Sequence, residues 1–280
     1  MRAKGEHYDP YKKLPVIVGV DGVGVLLDGT RVYTGSKYGM MAEKAAISSR
    51  MMVPLPDGID DVTAAAIANP AVSAWLSLEW KGRLQKGDCV LILGATGVTG
   101  KLAIQIAKHL GAGKIVALGR NPEALNTLKD LGADVVISLN HPDEDIKHSI
   151  AEEAKRQPFD LVLDYLWGKP AELLLEALKG HDLHAESHFT RYLQIGEMAG
   201  ASINLDASIL RSSSIEISGV GGGSVPMEVL AKIPTEYLPK VFNLAAERKL
   251  LIDTETMKLN EIEAAWQRTD LPGKRLVIIP

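Results

Sequence analysis

The sequence predicts an α/β chain: a doubly wound parallel sheet joined to a smaller β-rich unit. Three observations carry this. From Gly87 to about Gly222, short apolar runs alternate with segments of helical periodicity, the pattern of parallel strands linked by crossover helices. The apolar run Cys89–Leu93 opens directly onto a glycine-rich turn, Gly94-Ala-Thr-Gly-Val-Thr-Gly100. Residues 1–70, by contrast, are rich in Gly, Pro and short β-like runs.

Composition narrows the function classes. The 280 residues are 46% hydrophobic and 24% charged, ordinary proportions for a globular chain of one large domain or two. A formal net charge of -4, from 31 basic and 35 acidic residues, and the lack of any Lys/Arg run argue against a general nucleic-acid surface. No apolar stretch approaches the roughly 20 residues that span a bilayer, and the start, Met-Arg-Ala-Lys-Gly-Glu-His-Tyr, lacks the apolar core of a signal peptide. A cytoplasmic protein without a membrane partner is expected. The single cysteine, Cys89, excludes an internal disulfide and any multi-Cys zinc site. It falls in an apolar strand pattern, so a buried, inert thiol is expected there.

In chain order, strands are predicted at Val16–Val20, Gly24–Leu27 and Arg31–Tyr33, with a break at Pro54–Gly58. A helix starts at Asp61, is interrupted at Asn69-Pro70, and resumes from Ala71 to Trp80. The alternating region offers strands at Cys89–Leu93, Lys114–Leu118, Val135–Ile137, Leu161–Asp164, Tyr192–Ile195 and Ile215–Ser218. Helical segments Lys101–Leu110, Pro122–Leu131, Asp145–Arg156 and Pro170–Leu178 lie between them. After Gly223 come a helix over Met227–Arg248, a short strand near Leu251–Ile252, a helix around Glu261–Arg268 and a last strand Arg275–Ile279. This divides the chain into a dinucleotide-binding domain, 72–222, and a second domain made of 1–71 with 223–280.

The glycine turn carries the chemistry. Strand, turn, helix and second strand span about 30 residues, the βαβ unit of a Rossmann domain. Ala95 stands where the usual fingerprint has its first Gly and is small enough for the tight turn. Gly97 removes the Cβ that would hold a pyrophosphate away from the backbone, and Gly100 lets helix and strand pack closely. Thr96, Gly97 and Val98 then offer the helix N-terminus to the phosphates. NAD-dependent sites place an acid after the second strand to accept from the ribose 2′-OH; here Gly119-Arg120-Asn121 follows, without an acid. A guanidinium binds a 2′-phosphate that a carboxylate would repel, so the expected cofactor is NADPH. The alternative for Arg120 is a solvated loop arginine.

With these residues placed, the chain resembles the zinc-independent quinone oxidoreductases of the medium-chain dehydrogenase/reductase superfamily. The resemblance rests on Leu14-Pro15 with Gly19-Val-Asp-Gly-Val-Gly24, Pro54-Leu-Pro-Asp-Gly58, Asn69-Pro70 with Ser73-Ala74, Lys86–Val90 running into Gly94–Gly100, Phe159–Asp164, and Pro272–Pro280. It implies that the second domain is a partial GroES-like catalytic domain, N-terminally shortened, because the family carries further strands before the Arg2–Tyr8 segment. It implies hydride transfer to a quinone or α,β-unsaturated carbonyl. The enoyl-thioester reductases and a weakly catalytic NADPH-binding sensor or scaffold are the alternatives. Val20 stands where zinc-dependent relatives carry His, so no metal is expected. The resemblance points to Tyr8, Asn69 and Ser73 on the substrate side, with Gly196, Glu197 and Lys274 near the cofactor. Tyr38 is a second tyrosine candidate, more simply read as a loop residue. Family members commonly form homodimers, and Ile215–Ser218 would be the joining edge.

Two other constellations are set aside. His181, Asp182, His184, Glu186 and His188 have the residue types of a metal site, but follow Gly180 in a polar segment where no periodicity orients them. Ser212–Ser214 and Lys81 form no order that supports hydrolase chemistry.

Overall fold

The computed structural model describes residues 14–180 and 187–280. The chain divides into two compact units, residues 1–68 with 231–280, and residues 69–230.

The first unit holds β1 (Asp21–Val25), β2 (Arg31–Gly35) and β3 (Val53–Pro54), an antiparallel sheet in that order. In β2 the consecutive residues Val32, Tyr33 and Thr34 are all buried, and the Tyr33 ring meets Phe242 edge-on at 5.5 Å. The Tyr33 hydroxyl donates to Asp21 Oδ2 across the ladder at 2.7 Å. Val16–Val20 is irregular rather than a strand. Its backbone instead accepts from the 40–41 turn, and a Cβ on Gly39 (φ +95°) would collide with the Ile17 carbonyl.

Helix α1 runs unbroken through Asp61–Trp75 with Pro70 inside it. The expected interruption does not occur. Ala64, Ala66, Ile67, Ala68, Ala71 and Ala74 are all buried, and packing of this small-residue surface outweighs the one helical hydrogen bond that a proline forfeits.

The second unit is built on β4 (Cys89–Leu93), β5 (Lys114–Gly119), β6 (Val135–Ser138), β7 (Leu161–Asp164), β8 (Thr190–Gln194) and β9 (Ile215–Gly219). All are parallel, in the spatial order β6-β5-β4-β7-β8-β9. Every residue of β4 is fully buried, as a central strand covered on both faces requires. Helix α2 (Val98–His109) packs on β4 and β5. On the other face Leu91, Leu93, Val116, Leu118 and Val162 join one core. That core takes in Ile146 and Ile150 of α4 (Asp143–Arg156) and Leu174 of α5 (Gly168–Ala177). The short α3 (Pro122–Thr127) follows β5. At about 1.5–3 kcal/mol per buried large aliphatic side chain, this two-faced core is the main source of the unit's stability.

Strand starts are pinned by carboxylates. Asp160 Oδ2 accepts from the Cys89 N–H at 2.7 Å, and Asp134 Oδ2 from the Ile115 N–H at 2.8 Å. Burial pushes the Cys89 thiol up to about 12.

In the C-terminal stretch the predicted single helix over Met227–Arg248 is broken. Met227–Leu230 and Leu238–Ala246 are α-helical, and the wide turn Ile233–Tyr237 separates them. Pro234 and Pro239 lack the donors that a continuous ladder needs. The last strands are β10 (Thr254–Lys258) and β11 (Arg275–Ile279), a parallel pair. The short strand expected at Leu251–Ile252 thus begins three residues later, at Thr254.

Two predictions test this packing. A Cβ on Gly100 would run into the Gly94 carbonyl and lie 2.6 Å from the Ala95 Cα, backbone that cannot yield as a side chain does. Gly100→Ala is therefore expected to lower unfolding stability by about 2 kcal/mol or more, read from the urea midpoint; an unchanged midpoint refutes the close approach. Cys89 is expected to resist a disulfide reagent at pH 8 in the folded protein and to react within seconds in denaturant, followed by thiolate release.

Candidate cofactor and active site

The glycine turn begins where β4 ends. Gly94, at φ +90°, makes the reversal, so the left-handed residue stands one position before Ala95. The Gly94 and Ala95 N–H groups both donate to the Leu118 carbonyl, at 3.0 and 2.8 Å. Ala95 is fully buried and builds the turn from beneath. Thr96, Gly97, Val98 and Thr99 reach the surface above it.

Gly97 behaves differently from its neighbours. Its backbone is ordinary (φ -75°), and a Cβ there would meet only the Gly94 oxygen at 3.4 Å, near normal van der Waals distance. Neither packing nor backbone conformation demands glycine at this position. The first bond of α2 runs from the Lys101 N–H to the Gly97 carbonyl, so the N–H groups of Val98, Thr99 and Gly100 precede the ladder. No side chain caps this end and no acid occupies its first turn. The positive end of the helix is left open to an anion.

Gly119 closes β5 in tight contact with the turn: a Cβ would lie 2.5 Å from Thr96 Cγ2. Arg120 follows, exposed, with no acidic partner among the described residues. Asn140 Nδ2 holds its carbonyl at 2.5 Å. The Asn121 side chain caps α3, accepting from the Ala124 N–H at 2.9 Å, so its Oδ1 is already committed within the fold.

The chain passes outward from β4 through β5 to β6, then returns to β7 on the other side of β4. The carboxyl ends of β4 and β7 therefore flank the topological switch point, where open α/β sheets bind ligands. Asp164 ends β7 in full burial. Its Oδ1 accepts from the Leu166 and Trp167 N–H groups at 2.8 and 2.9 Å, and its Oδ2 from the Tyr192 hydroxyl at 2.7 Å. Burial raises the Asp164 carboxyl above its usual range, and these three donors oppose that shift. The Asp164 carbonyl also accepts from Ile195 and Gly196, and a Cβ on Gly196 would lie 2.5 Å from the Tyr165 oxygen.

The second unit thus brings together Gly94–Gly100, Gly119–Asn121 and Gly196. Asn69 is exposed and Ser73 half-buried, one helical turn apart on α1. Lys274 belongs to the other unit, its Nζ 3.9 Å from Glu255 Oε2. Tyr38 is exposed on a loop of that unit, with Lys37 stacked over its ring. Tyr8, and with it His181, Asp182, His184 and Glu186, lie outside the described residues. His188 pairs with Asp160 at 3.0 Å near the start of β4. Among the described residues no cluster of three or more His, Cys, Asp or Glu could hold a metal ion. Val20 is an exposed apolar residue. A pocket of about 250 Å³ in the first unit, among Met41, Ile262, Ala265, Trp266, Leu276 and Ile278, is lined by no titratable side chain.

Sequence reasoning missed the Asp164–Tyr192 pair and the turn it organises. The available signal was an acid closing an otherwise wholly apolar strand, Leu161–Asp164; such a carboxylate has to find buried donors.

Residues 98–185 match the family model described as "Zinc-binding dehydrogenase". The Emericella nidulans protein named "Probable NADPH-dependent quinone reductase tdiC" is 26% identical over 332 aligned positions, covering all of this chain and 88% of that protein. The trans-enoyl reductase pgmF of Aspergillus terreus is 30% identical over 169 positions, 60% of this chain; the chain spans only 44% of that protein's length. Among solved structures, the quinone oxidoreductase of Thermus thermophilus, determined also in complex with NADPH, superposes with a TM-score of 0.71 at 25% identity. That match covers 95% of this chain and 81% of that one. In sequence the chain is thus similar to quinone and trans-enoyl reductases, and in fold, with its switch-point sheet and glycine turn, to quinone oxidoreductases.

Proposed function

We propose that this protein is an NADPH-dependent, zinc-independent reductase of quinones or α,β-unsaturated carbonyls. The observation that carries the reading is Gly97: a glycine that the fold itself does not need, over an uncapped, acid-free helix end. A Cβ there would fill the space through which a pyrophosphate reaches the N–H groups of Val98 and Thr99. The residues present therefore fit a dinucleotide. Ala95 shapes the turn, Thr96–Gly100 receive the phosphates, Gly119–Asn121 receive the adenosine end, and Gly196 borders the nicotinamide end. Lys274 is assigned to the cofactor on the family resemblance.

When bound, the reduced nicotinamide supplies the hydride. The chain's own work is to bind, orient and exclude water. The Asp164 network fixes the end of β7, and α1 presents Asn69 and Ser73 as polar groups for a carbonyl oxygen. Tyr8 is the proposed third polar group. Val20, an apolar side chain at the family's zinc-ligand position, supports polarisation of the acceptor by hydrogen bonds rather than by a metal.

The same reading makes the protein a cytoplasmic homodimer. Strand β9 is one of the two edges of the second unit's sheet and, among the described residues, pairs only with β8. Likeness to pgmF favours an enoyl-thioester substrate as the second reading.

Arg120 is expected to decide cofactor choice. Arg120→Glu should weaken NADPH binding roughly ten- to hundredfold, the loss of a charge-assisted hydrogen bond plus repulsion, while NADH binding changes little. Kd values from nicotinamide fluorescence check this, and equal losses for both cofactors refute it. For the substrate, NADPH oxidation is followed at the dihydronicotinamide absorbance with panels of quinones, enones and enoyl thioesters. Turnover of quinones or enones is expected. Turnover of thioesters alone supports the second reading, and NADPH binding without any turnover points to a cofactor-binding sensor or scaffold.

A further inference from the structure

The carboxyl end of β5 is fixed residue by residue. Gly119 pairs with Ser138 at the end of β6, and the Leu139 N–H carries the ladder one step further by donating to the Gly119 carbonyl at 2.8 Å. There the backbone pairing stops. One residue on, a side chain takes over: Asn140 Nδ2 donates to the Arg120 carbonyl at 2.5 Å. Asn140 is itself held, its N–H donating to Ser138 Oγ at 3.2 Å. On the other side of Arg120, Asn121 is committed to α3. Its Oδ1 accepts from the Ala124 N–H and its carbonyl from the Leu125 N–H, each at 2.9 Å.

The Asn140 bond adds little to folding. Arg120 and Asn140 are both exposed, so water would serve the Arg120 carbonyl almost as well. What the bond changes is the freedom of the backbone from which the guanidinium extends. An arginine side chain gives up as much as ~2 kcal/mol of rotamer entropy when it settles on a partner. A loose backbone beneath it would add to that cost. Arg120 instead combines a fixed root with an exposed side chain, the arrangement of an anion ligand organised before its anion arrives.

We propose that Asn140 is a positioning residue for cofactor choice. Through its hydrogen bond to the Arg120 carbonyl it holds the backbone that carries the guanidinium, and so sets the preference for a 2′-phosphorylated dinucleotide without touching it. This rests on the NADPH reading above.

The test is a double-mutant cycle of Asn140→Ala and Arg120→Ala, each protein titrated with NADPH and with NADH by nicotinamide fluorescence. Asn140→Ala is expected to weaken NADPH about three- to tenfold, the net effect of one hydrogen bond. NADH affinity should stay within about twofold, and the ligand-free melting temperature within about 2 °C. In the Arg120→Ala background the same substitution should alter NADPH affinity by less than about twofold, because no guanidinium remains to be placed. Equal weakening of both cofactors marks a merely structural role and overturns the proposal. An equal loss of NADPH affinity with and without the guanidinium also overturns it, since Asn140 then acts independently of Arg120. If wild type prefers NADPH and Asn140→Ala keeps that preference, this proposal alone falls. If wild type binds the two cofactors alike, the NADPH reading falls and takes this one with it.

Discussion

The close approach of helix α2 to the end of β4 is the constraint on which the site depends. It exists because Gly100 has no Cβ and the backbone of Gly94 and Ala95 occupies that space. The contact sets the helix axis over the strand end, so the first N–H groups of α2 open above the carboxyl edge of the sheet. Gly97 at the helix start carries no side chain that could cap it, and an uncapped helix end retains its partial positive charge. Gly119 extends the same constraint sideways, since the Thr96 side chain fills the space beside its Cα. The phosphate turn and the end of β5 are thus one packed piece.

A second organising element lies across the switch point. Asp164 is fully buried yet carries three donors, two from its own turn and one from Tyr192 on the neighbouring strand. A buried carboxylate left unpaired would be very costly, so this network specifies the turn geometry as firmly as the apolar core specifies the sheet. It also explains how Trp167 is held in a conformation it would not adopt in a free chain. The glycine turn and the Asp164 turn face one another from adjacent strand ends. One is built from missing side chains and the other from a saturated one.

The sheet register follows from simpler physics. Strands β4, β5 and β7 are apolar on both faces and parallel, and carboxylates of Asp160 and Asp134 fix where two of them begin. The ion pair Lys114–Glu153, at 2.7 Å with both side chains mostly buried, ties β5 to α4 at the same end. The Asp160, Asp134, Lys114 and Glu153 side chains at the amino end are thus paired within the fold, while the first N–H groups of α2 at the carboxyl end precede its ladder. That asymmetry, rather than any single residue, is what directs ligands to one edge of the sheet.

The second unit was legible in the sequence because its signals are local. Apolar runs such as Cys89–Leu93 become strands wherever both faces are covered, and a glycine turn between strand and helix has one dominant geometry. Local signals failed where packing overrode propensity: Pro70 sits inside a continuous helix because buried alanines hold it there, and Val16–Val20 is a loop despite its β-branched composition. The site divides in the same way. Sequence alone determined the strand–turn–helix, the absence of an acid after β5 and the presence of Arg120. Tertiary structure alone decided that Gly97 is free of internal duty and that Asp164 and Tyr192, on neighbouring strands, converge. Those facts depend on which residues distant in the chain come to share a buried environment, and burial is what converts an ordinary acid or hydroxyl into one that must find a partner.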